Sequence, residues 1–162
     1  TAVERNADVV DMTSYAPLLA KEGHTQWRPD LIYFNNTQVK PTVDYYVQQL
    51  YGRNAGTTYV ASAIETEKLP AVAVKRQGAS VVYDPETDEY IVKLANLLPV
   101  EVAMSLEPAG LPLDLSNVGV TVLSGKPTDT GAKPQTTLCN LQSGKIQLPP
   151  YSFTVLRVPA AK

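Results

Sequence analysis

The chain has 162 residues, of which 44% are hydrophobic and 19% charged, so it can bury the core of one domain with at most an appendage. Its 14 basic and 16 acidic residues give a net charge of −2, which provides no field for holding nucleic acid. One cysteine and one histidine exclude an intrachain disulfide and a metal site built from several thiolates or imidazoles. No apolar run reaches the roughly 18 residues of a transmembrane helix, so we expect no membrane partner.

The first part of the chain predicts short α and β elements. Apolar side chains in residues 6–12 have helical spacing. Residues 14–20 form an apolar run that predicts a buried strand, which Pro17 should end because proline cannot donate a ladder hydrogen bond. A polar loop over 21–26 and a second short apolar run over 30–34 follow.

Residues 43–51 predict an amphipathic helix, because their apolar side chains recur at helical spacing. Thr42 is placed to cap its first turn, and Asp44 to complement the helix dipole. Gly52 is placed to take the left-handed conformation that ends a helix, and residues 52–56 read as a linker. The apolar positions are Val43, Tyr46, Val47, Leu50 and Tyr51.

From Thr57 onward the apolar period changes to two, which predicts strands. Residues 100–106 alternate strictly, with Val102 as an expected core position, and 118–122 alternate likewise. A hairpin is predicted where two apolar runs flank a polar loop at 84–89. Further strands are expected at 58–64, 72–77, 144–148 and 152–158. This pattern favours a mainly β fold, an antiparallel β-sandwich behind a short α/β segment.

Residue types alone predict no self-contained catalytic apparatus. The close carboxylate pairs, Glu65 with Glu67 and Glu86 with Asp88, lie in or near turns and read as solvated charges. No nucleophile elbow, phosphate loop or dinucleotide fingerprint is present, and we expect no cofactor.

One cluster has the residue types of a sugar site. It combines the imidazole of His24, the amide of Gln26 and the indole of Trp27. An indole can stack on a sugar ring while polar groups bind hydroxyls. The alternative is a polar loop that the tryptophan anchors to the core.

Residues 4–19 and 24–35 carry a more specific pattern, ERNADVVDMTSYAPLL and HTQWRPDLIYFN. Together they resemble the C-terminal region of α-L-arabinofuranosidases of glycoside hydrolase family 51. The run YYVQQLY at 45–51 is similar to the helix that follows in that family, and LPPYSFTVL at 148–156 to its last strand. The resemblance covers essentially the whole chain and is densest before residue 52.

The resemblance implies a parent protein with a (β/α)₈ catalytic barrel followed by a jelly-roll-like sandwich. Residues 1–51 would be the end of the barrel, with the end of helix seven at 4–12, strand eight at 13–18 and helix eight at 42–51. Residues 52–56 would link it to a sandwich at 57–162. The family uses two glutamates in a retaining mechanism. Both would lie upstream of this chain, which we therefore expect to be inactive alone.

The same resemblance implies which residues lie near the substrate in the parent. They are the polar end of strand eight and the following loop, because barrel active sites lie at the carboxyl ends of the strands. By number they are Ser14, Tyr15, His24, Gln26 and Trp27. The implied partners are the parent's own barrel and arabinan- or arabinoxylan-type saccharides. This substrate class favours a periplasmic or extracellular location, with a cytoplasmic one as the alternative.

Three hypotheses follow from the residues and the resemblance together. The chain is the accessory end of an arabinose-releasing glycosidase, a stand-alone carbohydrate-binding module, or a structural brace for the barrel. Bracing ranks above binding, because the sandwich has five aromatic residues and no tryptophan. Without its barrel, the apolar face of the predicted helix should lead to dimers through residues 1–51 or to disorder there.

Overall fold

The computed structural model describes residues 1–66 and 70–161, and this part of the chain is mainly β. The mainly β prediction is thus confirmed. The described elements, in chain order, are α1 (Ala2–Arg5), β1 (Leu19–Lys21), β2 (Ile32–Phe34), β3 (Val39–Pro41), α2 (Val43–Arg53), β4 (Thr58–Val60), α3 (Ala71–Val74), β5 (Gln77–Asp84), β6 (Glu89–Asn96), β7 (Val102–Ser105), β8 (Val118–Ser124), β9 (Gln135–Cys139), β10 (Lys145–Leu148) and β11 (Ser152–Pro159).

A small sheet near the N-terminus has the order β1-β2-β3, with β1 parallel to β2 and β2 antiparallel to β3. Its ladder begins after Pro17, where the amides of Leu31 and Ile32 donate to the carbonyls of Pro17 and Leu18. The prediction of a buried strand over 14–20 that Pro17 ends is wrong, and so is the strand implied at 13–18. Strand β1 begins only at Leu19, after the proline, and of its residues only Ala20 is buried. Pro17 lacks an N–H to donate, but its carbonyl can accept.

The helix predicted over 6–12 is wrong. The only helical turn in that part of the described chain is α1, and residues 6–12 continue as turns and irregular backbone. Val9 and Met12 are exposed, so the apolar side chains at helical spacing there pack against no other part of the described chain. A short segment without such burial does not repay the cost of helix nucleation.

Helix α2 confirms the prediction over 43–51. The hydroxyl of Thr42 accepts a hydrogen bond from the Tyr45 amide at 3.4 Å, as an N-cap does. The predicted role of Gly52 is wrong, because the helix runs through it to Arg53. The helix ends instead at Asn54, whose buried side-chain amide donates to the carbonyl of Leu50 at 2.8 Å.

The main sheet has six antiparallel strands in the order β4-β5-β6-β11-β8-β9. The predicted hairpin is confirmed as β5 and β6, whose register pairs Val82 with Ile91. The predicted strands at 118–122, 144–148 and 152–158 are confirmed as β8, β10 and β11. A second, two-stranded sheet pairs β10 with β7.

Both faces of the main sheet are covered, so its central strands are buried on both sides. One face packs against β7 and β10 around a core that includes Leu94, Leu148 and Leu156. The other face packs against α2 through a second core that includes Leu50 and Phe153. The apolar face of α2 therefore packs on the sandwich. This packing covers the face that we expected to cause dimers or disorder.

Three strand predictions in the sandwich need correction. Residues 72–77 are not a strand, since 71–74 form α3 directly after Pro70, a residue that favours a helix start. The strand expected over 58–64 ends at Val60, and the one expected over 100–106 begins only at Val102. Val102 does pack against the core, whereas Val100 is exposed. Strand β9 was not predicted, and most of its residues are exposed.

Candidate functional site

The candidate site is the loop from residue 22 to 31, which joins two parallel strands, β1 and β2. Its C-terminal end is firmly held. Leu31 is buried, its amide donates to the Pro17 carbonyl at 3.2 Å, and its carbonyl accepts from the Thr42 hydroxyl at 2.7 Å. The loop therefore leaves β1, turns through exposed residues and returns to a fixed point beside the N-cap of α2.

Trp27 stands at the exposed part of this loop, with 67% of its surface accessible. The interpretation of a tryptophan that anchors the loop to the core is therefore wrong. Its backbone is held locally by one hydroxyl, that of Thr25. This hydroxyl lies 2.7 Å from the Trp27 carbonyl oxygen, to which it can donate, and accepts from the Trp27 amide at 3.2 Å.

Asp30 lies beneath this turn and is only 2% exposed. Its carboxylate oxygen Oδ2 lies 3.0 Å from the Thr25 hydroxyl, and its backbone amide donates to the Tyr33 hydroxyl at 3.0 Å. We did not single out Thr25, Asp30 or Tyr33 from the sequence. The sequence signal that could have identified Asp30 is its position directly before a buried apolar run, because a carboxylate is tolerated there only if it is paired or hydrogen-bonded.

Tyr15 is half-buried, and its hydroxyl lies 3.2 Å from Oδ2 of Asp44, in the first turn of α2. Partial burial raises the pKa of the Tyr15 phenol, and the neighbouring Asp44 carboxylate raises this pKa further. The Tyr33 phenol and the Asp30 carboxylate act on Tyr15 in the same direction, more weakly. Tyr15 is thus held by Asp44 at the start of α2, whereas Asp30 holds the turn that carries Trp27.

The other three residues that the resemblance implied are placed differently. Ser14, His24 and Gln26 are exposed, and the structure gives their side chains no hydrogen bond within residues 1–66 and 70–161. His24 is held through its backbone amide, which donates to the Lys21 carbonyl at 3.0 Å. The structure therefore connects Trp27 with Asp30 through Thr25, holds Tyr15 on Asp44, and leaves the side chains of Ser14, His24 and Gln26 exposed.

The residue types of this group are those common at binding surfaces. An accessible indole, phenol hydroxyls and short polar side chains suit the apolar faces and hydroxyls of a sugar. The nearby carboxylates are engaged, since Asp44 accepts from Tyr15, and Glu22 pairs with Lys40 at 2.7 Å. Across the described ranges no three His, Cys, Asp or Glu side chains are grouped to hold a metal ion.

A separate cavity of about 370 Å³ lies between α2, the main sheet and the loop after β8. Its lining is mostly apolar and includes Val43, Val47, Leu123 and Phe153. Its polar lining residues are few, Ser124, Lys126, Asp129 and Ser152, and most of the wall is apolar, which suits an apolar group better than a sugar. Among the described helices, none has the length and apolar character needed to cross a membrane.

The aromatic residues of the sandwich form no stacking platform. Phe153 is buried and stacks on Tyr51, with ring centroids 4.8 Å apart. Tyr83 and Tyr90 pack on each other at 4.9 Å with their rings tilted by 44°, and both are half-buried. The one strongly exposed aromatic ring in the described chain is that of Trp27, outside the sandwich.

Comparison with proteins of known sequence gives a consistent set of relatives. The chain is 52% identical over 66 residues to an extracellular exo-α-L-arabinofuranosidase of Streptomyces chartreusis, an alignment that covers 41% of this chain and 8% of that protein. It is 41% identical over 96 residues to a probable α-L-arabinofuranosidase A of Aspergillus flavus, covering 58% and 14%. These alignments thus span only 8% and 14% of the two relatives' lengths.

Solved structures that share this fold include α-L-arabinofuranosidases. An arabinose-bound family 51 α-L-arabinofuranosidase superposes with a TM-score of 0.83 at 24% identity, over 98% of this chain and 26% of that one. An arabinose complex of the Thermotoga maritima α-L-arabinofuranosidase gives 0.67 at 16% identity, over 95% and 35%. At these identities the likeness establishes the fold. The family model for the α-L-arabinofuranosidase C-terminal domain matches residues 1–152, and the chain belongs to this family.

Proposed function

We propose that this chain is the C-terminal end of a retaining glycosidase that releases terminal α-L-arabinofuranosyl residues from arabinan- or arabinoxylan-type saccharides. The observation that carries the proposal is the match of the family model over residues 1–152, together with an exposed indole in the loop that the family resemblance assigns to the sugar side. The sandwich braces the catalytic barrel, and catalysis belongs to residues outside this chain.

The division of labour within the chain is part of the proposal. Residues 1–51 complete the barrel, 52–56 connect, and 57–162 form the sandwich. Two contacts support a braced arrangement. Helix α2 packs its apolar face on the main sheet, and Asn54, in the connecting stretch, accepts from the Arg157 guanidinium of β11 at 3.1 Å. A connection that is bonded to the central sheet suits a rigid brace better than a flexible tether.

Ser14, Tyr15, His24, Gln26 and Trp27 are the proposed substrate-proximal residues. Their support is that Trp27 is exposed on an anchored loop, that Ser14, His24 and Gln26 are exposed as well, and that Tyr15 is held by Asp44 beside the N-terminus of α2. In this role the indole offers a face to the sugar ring, and the exposed polar side chains bind its hydroxyls. None of the five acts as nucleophile or as general acid.

The first experiment asks whether the chemistry lies outside this chain. The full-length protein should hydrolyse an aryl α-L-arabinofuranoside with retention, and the isolated 162-residue chain should not, because a retaining mechanism needs two carboxyl groups about 5–5.5 Å apart. Turnover by the isolated chain at the full-length rate would refute the assignment.

The second experiment tests the site. In the full-length protein, Trp27→Ala should raise KM for arabino-oligosaccharides about tenfold, which corresponds to about 1.4 kcal/mol, since truncating an aromatic anchor of a binding surface typically costs more than about 1 kcal/mol. Leu138→Ala is the matched control, an exposed apolar side chain on β9 that lies far along the sandwich. Equal kinetics for both variants would contradict the site.

The alternative function is a carbohydrate-binding module that works without the barrel. It would need a sugar site on the sandwich, and the half-buried sandwich aromatics give it little support. Retention of the isolated chain on arabinan, undiminished by Trp27→Ala, would favour this alternative over the brace.

A further inference from the structure

An exposed tryptophan can serve as a stacking surface only if its backbone is held still. In this loop the amide and carbonyl of Trp27 both meet the hydroxyl of Thr25, at 3.2 and 2.7 Å. The indole itself is mostly accessible, so packing does little to restrain it. Restraint of the turn that carries the indole therefore depends on one hydroxyl group.

That hydroxyl has a third neighbour, Oδ2 of Asp30 at 3.0 Å. A threonine hydroxyl has one proton, so it can donate to the Trp27 carbonyl or to Asp30 while it accepts from the Trp27 amide. A hydrogen bond to a carboxylate is roughly twice as strong as one between neutral groups. The carboxylate thus holds the hydroxyl in the position that the Trp27 backbone uses.

Asp30 is 2% exposed, and burial of a carboxylate is costly unless it is hydrogen-bonded. An apolar residue would fill this position beside Leu31 at a lower cost. The charge is nevertheless kept at the point where the loop returns to β2, where its own amide is held by the Tyr33 hydroxyl. The Asp30 carboxylate therefore stabilises the turn that carries Trp27, through the hydroxyl of Thr25.

We propose that Thr25 and Asp30 are positioning residues that hold the indole of Trp27 as a stacking platform for the arabinofuranosyl ring or the saccharide next to it. The proposal rests on the proposed function for its sugar and on the loop geometry for its mechanism. Neither residue touches the substrate. Their effect passes through the backbone of Trp27.

The first test measures the position of the indole without any sugar. Trp27 is the only tryptophan of the 162-residue chain, so fluorescence anisotropy decay under selective indole excitation reports on it alone. Thr25→Val removes the hydroxyl at constant shape and should increase the amplitude of fast local motion at least about twofold, because loops held by few bonds move on the nanosecond scale. Thr25→Ser keeps the hydroxyl and should match the wild type, and Asp30→Asn, a weaker acceptor, should lie between.

The second test measures use of the platform in the full-length protein. Thr25→Val should lower kcat/KM for arabino-oligosaccharides about tenfold, the factor that corresponds to about 1.4 kcal/mol. Thr25→Ser should restore it. Glu101→Gln, an exposed carboxylate of the sandwich, is the control and should leave kinetics unchanged. Far-ultraviolet circular dichroism establishes that each variant is folded, and the Thr25 pair alone decides the question if Asp30→Asn is not.

The outcomes separate the two proposals. Unchanged anisotropy in Thr25→Val overturns the positioning role whatever the kinetics. A larger fast loss of anisotropy in Thr25→Val with unchanged kcat/KM overturns the link between the platform and the sugar. A full-length wild type that does not act on arabinofuranosides refutes the proposed function, and the anisotropy series then still tests whether the Thr25–Asp30 pair holds the indole.

Discussion

The attachment of α1 to the sandwich includes a buried ion pair that can be tested by substitution. Lys93, in the centre of β6, has a fully buried side chain, and its ammonium lies 2.5 Å from Oε1 of Glu4, whose side chain is 18% exposed. The other oxygen of Glu4 accepts from the hydroxyl of Ser80 at 2.6 Å. Glu4 is thus the only carboxylate paired with this ammonium in the described chain.

Glu4→Ala should therefore leave a buried ammonium without a counter-charge. Removal of one partner of a buried ion pair costs about 3–5 kcal/mol, and the partial exposure of Glu4 places the value near the lower end, about 3 kcal/mol. For a chain of this length that corresponds to a fall in Tm of about 6–12 °C. It is a large fraction of a domain's stability of about 5–15 kcal/mol.

The pair of Lys40 with Glu22 provides a matched control. It has the same chemistry at 2.7 Å, but its side chains are 47% and 37% exposed. Exposed pairs contribute about 0.2–1 kcal/mol, so Glu22→Ala should cost under about 1 kcal/mol. Urea denaturation at pH 7 measures both. If the two variants lose the same free energy of unfolding, α1 is not bound to the sandwich as described.

The pH dependence gives a second check. Burial lowers the pKa of Lys93, and Glu4 opposes that shift. Between this lowered pKa and the ordinary lysine pKa of about 10.4, the unfolded chain binds more protons than the folded one, so the free energy of unfolding rises with pH. Glu4→Ala lowers the pKa of Lys93 further and starts this rise at a lower pH. The deficit of the variant relative to wild type should shrink between pH 7 and pH 10.

The remaining predictions are read from urea denaturation at pH 7. Gly52→Ala should stabilise by about 0.5–1 kcal/mol, since Gly52 is helical with open space around it, and Gly56→Ala should destabilise, since a Cβ there would lie 2.5 Å from a carbonyl oxygen of β5. Equal signs for the two would refute the placement of the helix end. Asn96→Asp should cost more than about 2 kcal/mol, because the two N–H groups of its buried amide are shared among three backbone carbonyls, which a carboxylate oxygen would repel. Leu156→Ala, in the core, should cost about 2–5 kcal/mol, and Leu138→Ala, on the exposed β9, under about 0.5 kcal/mol.

Local sequence pattern was sufficient to predict an element where the burial of one of its own faces, or its own turn, determines the conformation. The helix at Val43–Arg53 was predictable because its apolar residues form one stripe and Thr42 caps it. The hairpin of β5 and β6 was predictable because its turn is polar and carries a proline. Pattern failed at residues 72–77, where an apolar run suits a helix or a strand equally and only its neighbours select one.

The candidate site was likewise predictable from the sequence only in part. The residue types of Trp27 and Tyr15, and the family resemblance of their surroundings, were enough to name them as candidates. Asp30 was not predictable, because a carboxylate before a strand looks like an ordinary loop charge until its burial is known. Its importance follows from a hydrogen bond to Thr25 and from the return of the loop to β2, which are properties of the folded chain.

The sequence by itself determined the class of the fold, the existence of α2 and the family, since each depends on periodicity, capping or motif over a few adjacent residues. Only the tertiary structure decided that α2 and α1 cover one face of the sheet, that Lys93 is buried with Glu4, and that Trp27 points outward. The physical reason is that burial and ion pairing join residues 89 positions apart, as at Glu4 and Lys93, and no local pattern records which distant partner removes a side chain from water.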